Sequence, residues 1–440
     1  MSAGETERKE RETIFALASG RGRAGVAVVR VSGPRADEAL RLLTRAPLPS
    51  NRRAAIRTIF GKTNDTKIDS TLVLRFPSPQ SYTGENIVEF QVHGGPAVIS
   101  AVIAELGAIP GLRLAEPGEF TRRAVENGRL DLTQAEAIAD LVDAETEAQR
   151  RQAIEQLGGS LGRLYETWRG QLIRSAAWIE ATIDFPDEEI PPSALAKARE
   201  DIAFIANEMQ SHLSDGRRGE ILRDGFHVAV IGAPNAGKSS LVNALAQRDV
   251  AIVSDIPGTT RDVLEVRLNL KGYPVILSDT AGLREGRDPI EKEGIRRAEA
   301  RAKAADLRLL VLDGSAGQDA GGLRGDIEVL SKADLNLDRR GGDFWVSAKT
   351  GEGLSQLVER LAKHAEARME VGEAPSLSRA RHRSAVEKAE RHLRDALAGS
   401  APELTAEHLR LALTEIGRIT GRVDLDELLD VVFRDFCLGK

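Results

Sequence analysis

The sequence predicts an α/β protein in three parts: an N-terminal α+β domain, a helical bundle, and a doubly wound, mostly parallel α/β domain inserted into that bundle. Three observations carry this. Apolar runs with a two-residue period dominate up to about residue 120, a three-to-four-residue period takes over between about 125 and 222, and that helical character returns after 375. Between the helical stretches, strands alternate with helices, the pattern of a largely parallel sheet. Placing both helical stretches in one bundle follows from the closeness of the termini of compact domains. Two independent helical domains are the alternative topology. The expected boundaries are 1–122, 123–224, 225–372 and 373–440.

In the first part the strands are GVAVVRVSG, STLVLRF and the alternating NIVEFQVHGGP, where Val88, Phe90 and Val92 share one face and Glu89, Gln91 and His93 the other. One face is core and the other is polar and available. Arg30 stands inside an apolar strand, so its guanidinium requires a partner, a ligand or solvent. In the helical part, Leu161, Leu164, Trp168, Leu172, Ala176 and Ile179 form one apolar stripe, and Leu425, Leu428, Leu429, Val432 and Phe433 form another near the end.

At 440 residues the chain exceeds what one core usually supports. With 41% hydrophobic and 29% charged residues it has the composition of a soluble globular protein, and no apolar run approaches the ~18 residues of a membrane span. The acidic start MSAGETERKERET has no apolar core of a leader, so a cytoplasmic protein with a short loose N-terminus is expected. A single cysteine, Cys437, excludes an intrachain disulfide and a cysteine metal cluster. The net charge of −6 means that a nucleic-acid partner must be held by a local basic face. Aromatic residues at 4% argue against a broad base-stacking surface.

The inserted domain opens with HVAVIGAPNAGKSSLVNAL, a strand, a glycine-rich loop and a helix. GAPNAGKS is a P-loop: amides around Asn235, Ala236, Gly237 and Ser240 enclose phosphates, Lys238 reaches the β and γ oxygens, and the Ser239 hydroxyl binds Mg²⁺. Asp279, Thr280, Ala281 and Gly282 follow a strand as DTAG, as expected of a carboxylate near Mg²⁺ and an amide near the γ-phosphate. Thr260 in PGTTRD offers the metal a second hydroxyl.

Base identity rests on SKAD and on the SAK of Ser347, Ala348 and Lys349, each after a strand. Here the chain resembles the GTPase superfamily. Asp334 accepts from the N1 and N2 hydrogens of guanine, which adenine does not present, and Lys332 packs against the base, so GTP is favoured over ATP. Ser331 replaces the superfamily's asparagine, and weaker base affinity is expected from its shorter reach. Only DGSAGQDAGGLRG joins the two strands before it, too little for a full helix. Leu283 stands where Ras-like proteins carry the water-positioning glutamine, so another group must orient the water, and an arginine finger or a cation must meet the developing charge.

The segments SYTGENIVEFQVHGGP, EPGEFTRRA, RLDLTQAEAIADL, GAPNAGKSSL, PGTTRD, DTAGLRE and the terminal FCLGK, in this order, resemble the MnmE (TrmE) family of tRNA wobble-uridine modification GTPases over nearly the whole chain. The resemblance implies a K⁺-dependent mechanism in a homodimer whose G domains meet face to face. Asn235 then holds K⁺ with its side-chain oxygen, and Ser254 and Ile256 with their carbonyls, with Thr259 close by. The rest of that loop, Asp255, Pro257 and Gly258, lies beside the nucleotide. Read from the residues alone, a turn-stabilising asparagine is the favoured role of Asn235. Glu291 matches the family's catalytic glutamate; without the family it is one charge of a solvated helix among Glu285, Asp288 and Glu293.

The same resemblance implies a 5-formyl- or 5,10-methylene-tetrahydrofolate site at Arg30, Glu89, Arg129 and Lys440, and places Cys437 of the C-x-G-K tail beside it. From chemistry alone, Arg30 and Glu89 are also an internal ion pair, and Cys437 is either a nucleophile or a small buried hydrophobe. An FAD-containing partner, MnmG (GidA), and tRNA complete the implied reaction, the addition of an aminomethyl or carboxymethylaminomethyl group at C5 of the wobble uridine. SRARHRSAVEKAERHLR and TRRAVENGR are the candidate phosphate contacts, or solvated helix faces. Two rival readings are a regulatory P-loop GTPase without modification chemistry and a P-loop ATPase.

Overall fold

A computed structural model describes residues 12–439 except 21, 62–65, 186, 188, 189, 249, 253–264, 280–302, 316–322, 336–340, 371, 373, 374, 400, 424–428, 430, 431 and 433–438. The chain divides into two compact units, residues 1–139 with 417–440, and residues 140–416.

The first unit is built on β1 (Thr13–Leu17), β2 (Ala24–Ser32), β3 (Ala55–Phe60), β4 (Lys67–Phe76), β5 (Ile87–Gly94) and β6 (Leu112–Leu114), in the order β3-β4-β5-β2-β1-β6. All neighbours are antiparallel except β1 and β6. The alternation of β5 holds: Val88, Phe90 and Val92 are buried, Glu89 and Gln91 half-buried, and His93 exposed. Helices α1 (Ala36–Thr44) and α2 (Pro96–Gly107) cover the apolar face, where Phe15, Val29, Phe90, Leu40 and Leu106 share one core. Pro96 suits the start of α2, because its missing N–H falls where a helix has no internal acceptor. Helices α3 (Glu119–Glu126) and α4 (Leu132–Asp143) follow, and Leu429 and Val432 pack against Leu132 and Ala135. Leu425, Leu428 and Phe433 of that expected stripe lie outside the described residues.

The second unit contains α5 (Glu147–Leu157), α6 (Ser160–Asp184), α7 (Pro192–Leu213) and α8 (Arg218–Asp224) before its sheet, and α11 (Ala380–Ala398) and α12 (Pro402–Thr420) after it. Five residues of the α6 stripe are buried and Leu164 is half-buried. Helix α7 packs on both α6 and α11, so helices from either side of the insertion share one bundle. Charges fasten the two sides. Arg383 of α11 donates to Asp215 and Glu220, both at 2.7 Å, and Asp140 accepts from Arg223 at 2.8 Å and from Arg379 at 2.6 Å.

The inserted sheet comprises β7 (Phe226–Ile231), β8 (Glu265–Leu270), β9 (Tyr273–Asp279), β10 (Leu307–Asp313), β11 (Ile327–Ser331) and β12 (Phe344–Trp345), with helices α9 (Lys238–Ala246) and α10 (Leu354–Met369). Its order is β12-β11-β10-β7-β9-β8, parallel throughout except β8 against β9. Apolar clusters include Val228, Val230, Leu309 and Val311 in one group and Ala229, Ile231, Leu310 and Leu312 in another, which is why β7 and β10 read as continuous apolar runs. In such sheets ligands bind beyond the carboxyl ends of the strands. Of the connection between β10 and β11, residues 316–322 lie outside the described residues, and with them the expectation that no helix fits there. Among the described residues, no helix is long and apolar enough to cross a membrane.

Candidate nucleotide site and the Arg30–Glu89 pair

The loop from β7 to α9 has the geometry of a phosphate cradle. Gly232 has φ +150°, and a Cβ there would stand 2.2 Å from the Val311 carbonyl oxygen, so only glycine lets the loop leave the sheet. Asn235 adopts φ +62°, a left-handed conformation that asparagine tolerates, and its side chain is exposed. The loop ends at the start of α9, where helix amides and the positive end of the dipole attract anions. Lys238 is 6% exposed, and its Nζ donates to the carbonyls of Gly232 and Ala233, each at 2.8 Å. Burial holds the Lys238 ammonium below its usual pKa, an effect opposed by the Asp279 carboxylate. Phosphate oxygens would reverse that cost.

Two oxygen groups suited to Mg²⁺ meet beside the cradle. Ser239 Oγ, in the first turn of α9, donates to Asp279 Oδ2 at the end of β9 across 2.5 Å. Hydroxyl and carboxylate oxygens are the hard ligands that Mg²⁺ takes. Both lie where one ion would touch both.

On the far side of α9 a cavity of about 390 Å³ opens between that helix and the loops after β11 and β12. Its lining includes Lys332, Asp334, Ala348 and Lys349, and an apolar wall of Leu241, Leu335 and Val346. This combines stacking surface with a few convergent polar groups. Asp334 is exposed, and Ser347 Oγ donates to its Oδ1 at 2.6 Å. That bond holds the Asp334 carboxyl below the usual carboxylate range, so it is an acceptor at neutral pH. Lys332 has φ +57° and pairs with Asp313.

Ser331 also lines this cavity, but its hydroxyl is turned to the P-loop. It is buried, and its Oγ donates at 2.6 Å to the carbonyl of Ala236 in the P-loop. A Cβ on Gly237 would stand 3.2 Å from that hydroxyl, a spacing that favours a short side chain. The base loop and the phosphate loop are thereby tied together.

In the first unit, Arg30 and Glu89 are register partners on β2 and β5, joined by a 2.9 Å ion pair. The Arg30 guanidinium lies 5.2 Å from the Tyr82 ring centre and 5.6 Å from that of Phe120. Arg30 thus has an internal partner. Arg129 Cγ comes within 3.3 Å of a Cβ built on Gly84, two residues from Tyr82. Gly439 of the tail has φ +93°, and a Cβ there would stand 2.1 Å from the Leu17 carbonyl oxygen. Leu17 adjoins Ala16, the register partner of Arg30.

The loop residues Ser254, Asp255, Ile256, Pro257, Gly258, Thr259 and Thr260 lie outside the described residues, as do Thr280, Ala281, Gly282, Glu291, Cys437 and Lys440.

The match to known proteins extends over both units. The model of the GTP-binding protein TrmE N-terminus covers residues 13–129, and that of the MnmE helical domain covers 132–437. The chain belongs to the MnmE family. It is 53% identical to the tRNA modification GTPase MnmE of Parvibaculum lavamentivorans, over 98% of this chain and 100% of that one. The corresponding protein of Rhodospirillum rubrum is 54% identical over 98% and 99%, and that of Caulobacter vibrioides 49% over 98% and 100%.

Within this MnmE-family chain the structure corrects one expectation and adds residues. Several arginines of the two basic stretches are held in ion pairs, and Arg123 and Arg383 are largely buried. Arg123 is 5% exposed and pairs with Glu85 and Glu119, Arg383 pairs with Asp215 and Glu220, and Arg394 pairs with Glu390. Alternating charges along these helices were the available signal. Asn243 and Gln247 also line this cavity, and they follow Ser240 at the three-to-four-residue spacing of one helix face, which is the signal that marks them. Tyr82 and Phe120 beside Arg30 had no local signal, since they come from separate loop and helix segments.

Proposed function

We propose that this chain is a K⁺-dependent GTP hydrolase acting in tRNA modification, with domains at 1–122, 123–224, 225–372 and 373–440. It works as a homodimer, with an FAD-containing MnmG-type partner that joins it in adding an aminomethyl or carboxymethylaminomethyl group to C5 of the wobble uridine. The observation that carries the nucleotide reading is Asp334: an exposed carboxylate, fixed by Ser347, in a cavity beside the P-loop helix. Guanine offers it N1–H and N2–H donors and adenine has neither at those positions, so GTP is selected over ATP.

The roles divide by position. Lys238 holds the phosphates, and Ser239 and Asp279 take Mg²⁺, with Thr260 as a second hydroxyl. Asn235, Ser254, Ile256 and Thr259 hold K⁺, which supplies the positive charge that an arginine finger gives elsewhere. Glu291 orients the attacking water. Support for Asn235 is its exposed place in the cradle's left-handed turn.

Arg30, Glu89, Arg129 and Lys440 bind a reduced folate, 5-formyl- or 5,10-methylene-tetrahydrofolate, which supplies the one-carbon unit near Cys437. The residues described here fit such a group: a carboxylate for N–H donors, a guanidinium for carbonyls, and two aromatic rings flanking them. The test is calorimetric titration of the full chain with 5-formyltetrahydrofolate. Saturable binding that Glu89→Gln weakens at least about tenfold, the loss of one charge-assisted hydrogen bond, supports the reading. Intact GTP turnover with no folate binding overturns it in favour of a regulatory switch.

A further inference from the structure

Outside the nucleotide site and the Arg30–Glu89 pair, one cluster has ligand chemistry that neither uses. His392 and Asp395 occupy α11 three residues apart, on one face, and His408 of α12 meets them. The two imidazoles approach Nδ1 to Nδ1 at 3.5 Å, with ring centres 5.7 Å apart and planes 36° apart. The potential ligand atoms of all three residues lie within 4.8 Å of one another. Among the described residues no other group of three such side chains is so assembled.

A direct hydrogen bond does not account well for this contact. At 3.5 Å it is at the outer limit of such bonds, and it requires opposite tautomers on the two rings. Two protonated rings would repel. A shared cation satisfies both lone pairs at once. Two imidazole nitrogens on a tetrahedral ion, each about 2.05 Å from it, stand about 3.3 Å apart, close to the separation found. The Asp395 side chain is exposed and free to turn its carboxylate inward as a third ligand.

We infer that His392, Asp395 and His408 form a site for a divalent transition-metal ion of the Zn²⁺ class, with water completing the shell. Imidazole nitrogen selects Zn²⁺, Co²⁺ or Ni²⁺ over Mg²⁺, which takes an all-oxygen octahedron, so the site does not compete for the ion of the GTP centre. Bound metal cross-links α11 to α12 and stabilises the bundle on which the inserted domain is mounted. No bond is made or broken beyond coordination, and protons leave only from imidazole.

The experiment is titration of the nucleotide-free full chain with Co²⁺, followed by its visible d–d absorption, with thermal unfolding in Zn²⁺, Mg²⁺ and EDTA alongside. Expected are one tetrahedral-type Co²⁺ per chain, displaced by Zn²⁺ and not by Mg²⁺, and a midpoint raised by a few degrees in Zn²⁺ alone. His392→Gln and His408→Gln, each shown to be folded by circular dichroism, lose at least about tenfold in Co²⁺ affinity and lose the Zn²⁺ shift. Unchanged absorption in both variants overturns the proposal, as does a thiolate charge-transfer band placing the ion on Cys437, or an absence of saturable binding.

Discussion

At the scale of single residues, the site depends on which oxygen each side chain reaches. Asp334→Asn replaces one carboxylate oxygen with an amide donor that opposes the guanine N–H groups, so GTP affinity falls about thirtyfold and the preference over ATP collapses in a competition assay. Ser331→Ala cuts the tie to the Ala236 carbonyl. The expected result is a five- to tenfold loss for GTP and ATP alike, about 1 kcal/mol, because the bond holds the P-loop rather than the base. The P-loop, the base motifs and the polar face of β5 were legible in the sequence, since each is set by local spacing. The function of Ser331 was not, because its partner lies 95 positions away along the chain.

At the scale of elements, the bundle is held by pairs that cross the insertion. Glu220 is 3% exposed and shares Arg383 with Asp215, so Arg383→Ala leaves Glu220 to Arg217 alone and takes the guanidinium from half-buried Asp215. We expect a loss of about 2–3 kcal/mol in urea unfolding followed by tryptophan fluorescence, against no measurable loss for exposed Arg150→Ala. Periodicity revealed these helices but not their pairing, which is why basic residues of α11 read as candidates for phosphate contact. Acid acts on the same bundle through His212, which lies against Tyr165 and Trp168. Burial lowers its pKa to about 4 from 6.5; Asp215 opposes that shift, and Arg383 and His382 add to it. Below pH 6.5 the unfolded chain takes the proton first. Stability is therefore complete above pH 6.5, and roughly 3 kcal/mol is lost as pH falls to about 4. His212→Gln flattens that part of the profile, measured as the unfolding midpoint against pH.

For the whole molecule, the net charge of −6 and the internal pairing of Arg123 and Arg383 leave no general pull on tRNA, so any tRNA contact is local. The alternation of strands and helices gave the inserted domain, and composition gave a chain too long for one core. Neither reports how hydrolysis is driven, because the residues proposed for that step act only around a bound nucleotide. Central to the account is a monovalent cation that replaces an arginine finger when two G domains meet. Steady-state GTP hydrolysis, compared in KCl and NaCl at equal ionic strength, tests it most directly. The account predicts at least about tenfold faster turnover in K⁺, a difference that Asn235→Ala abolishes while GTP still binds. Equal rates in the two salts would contradict it.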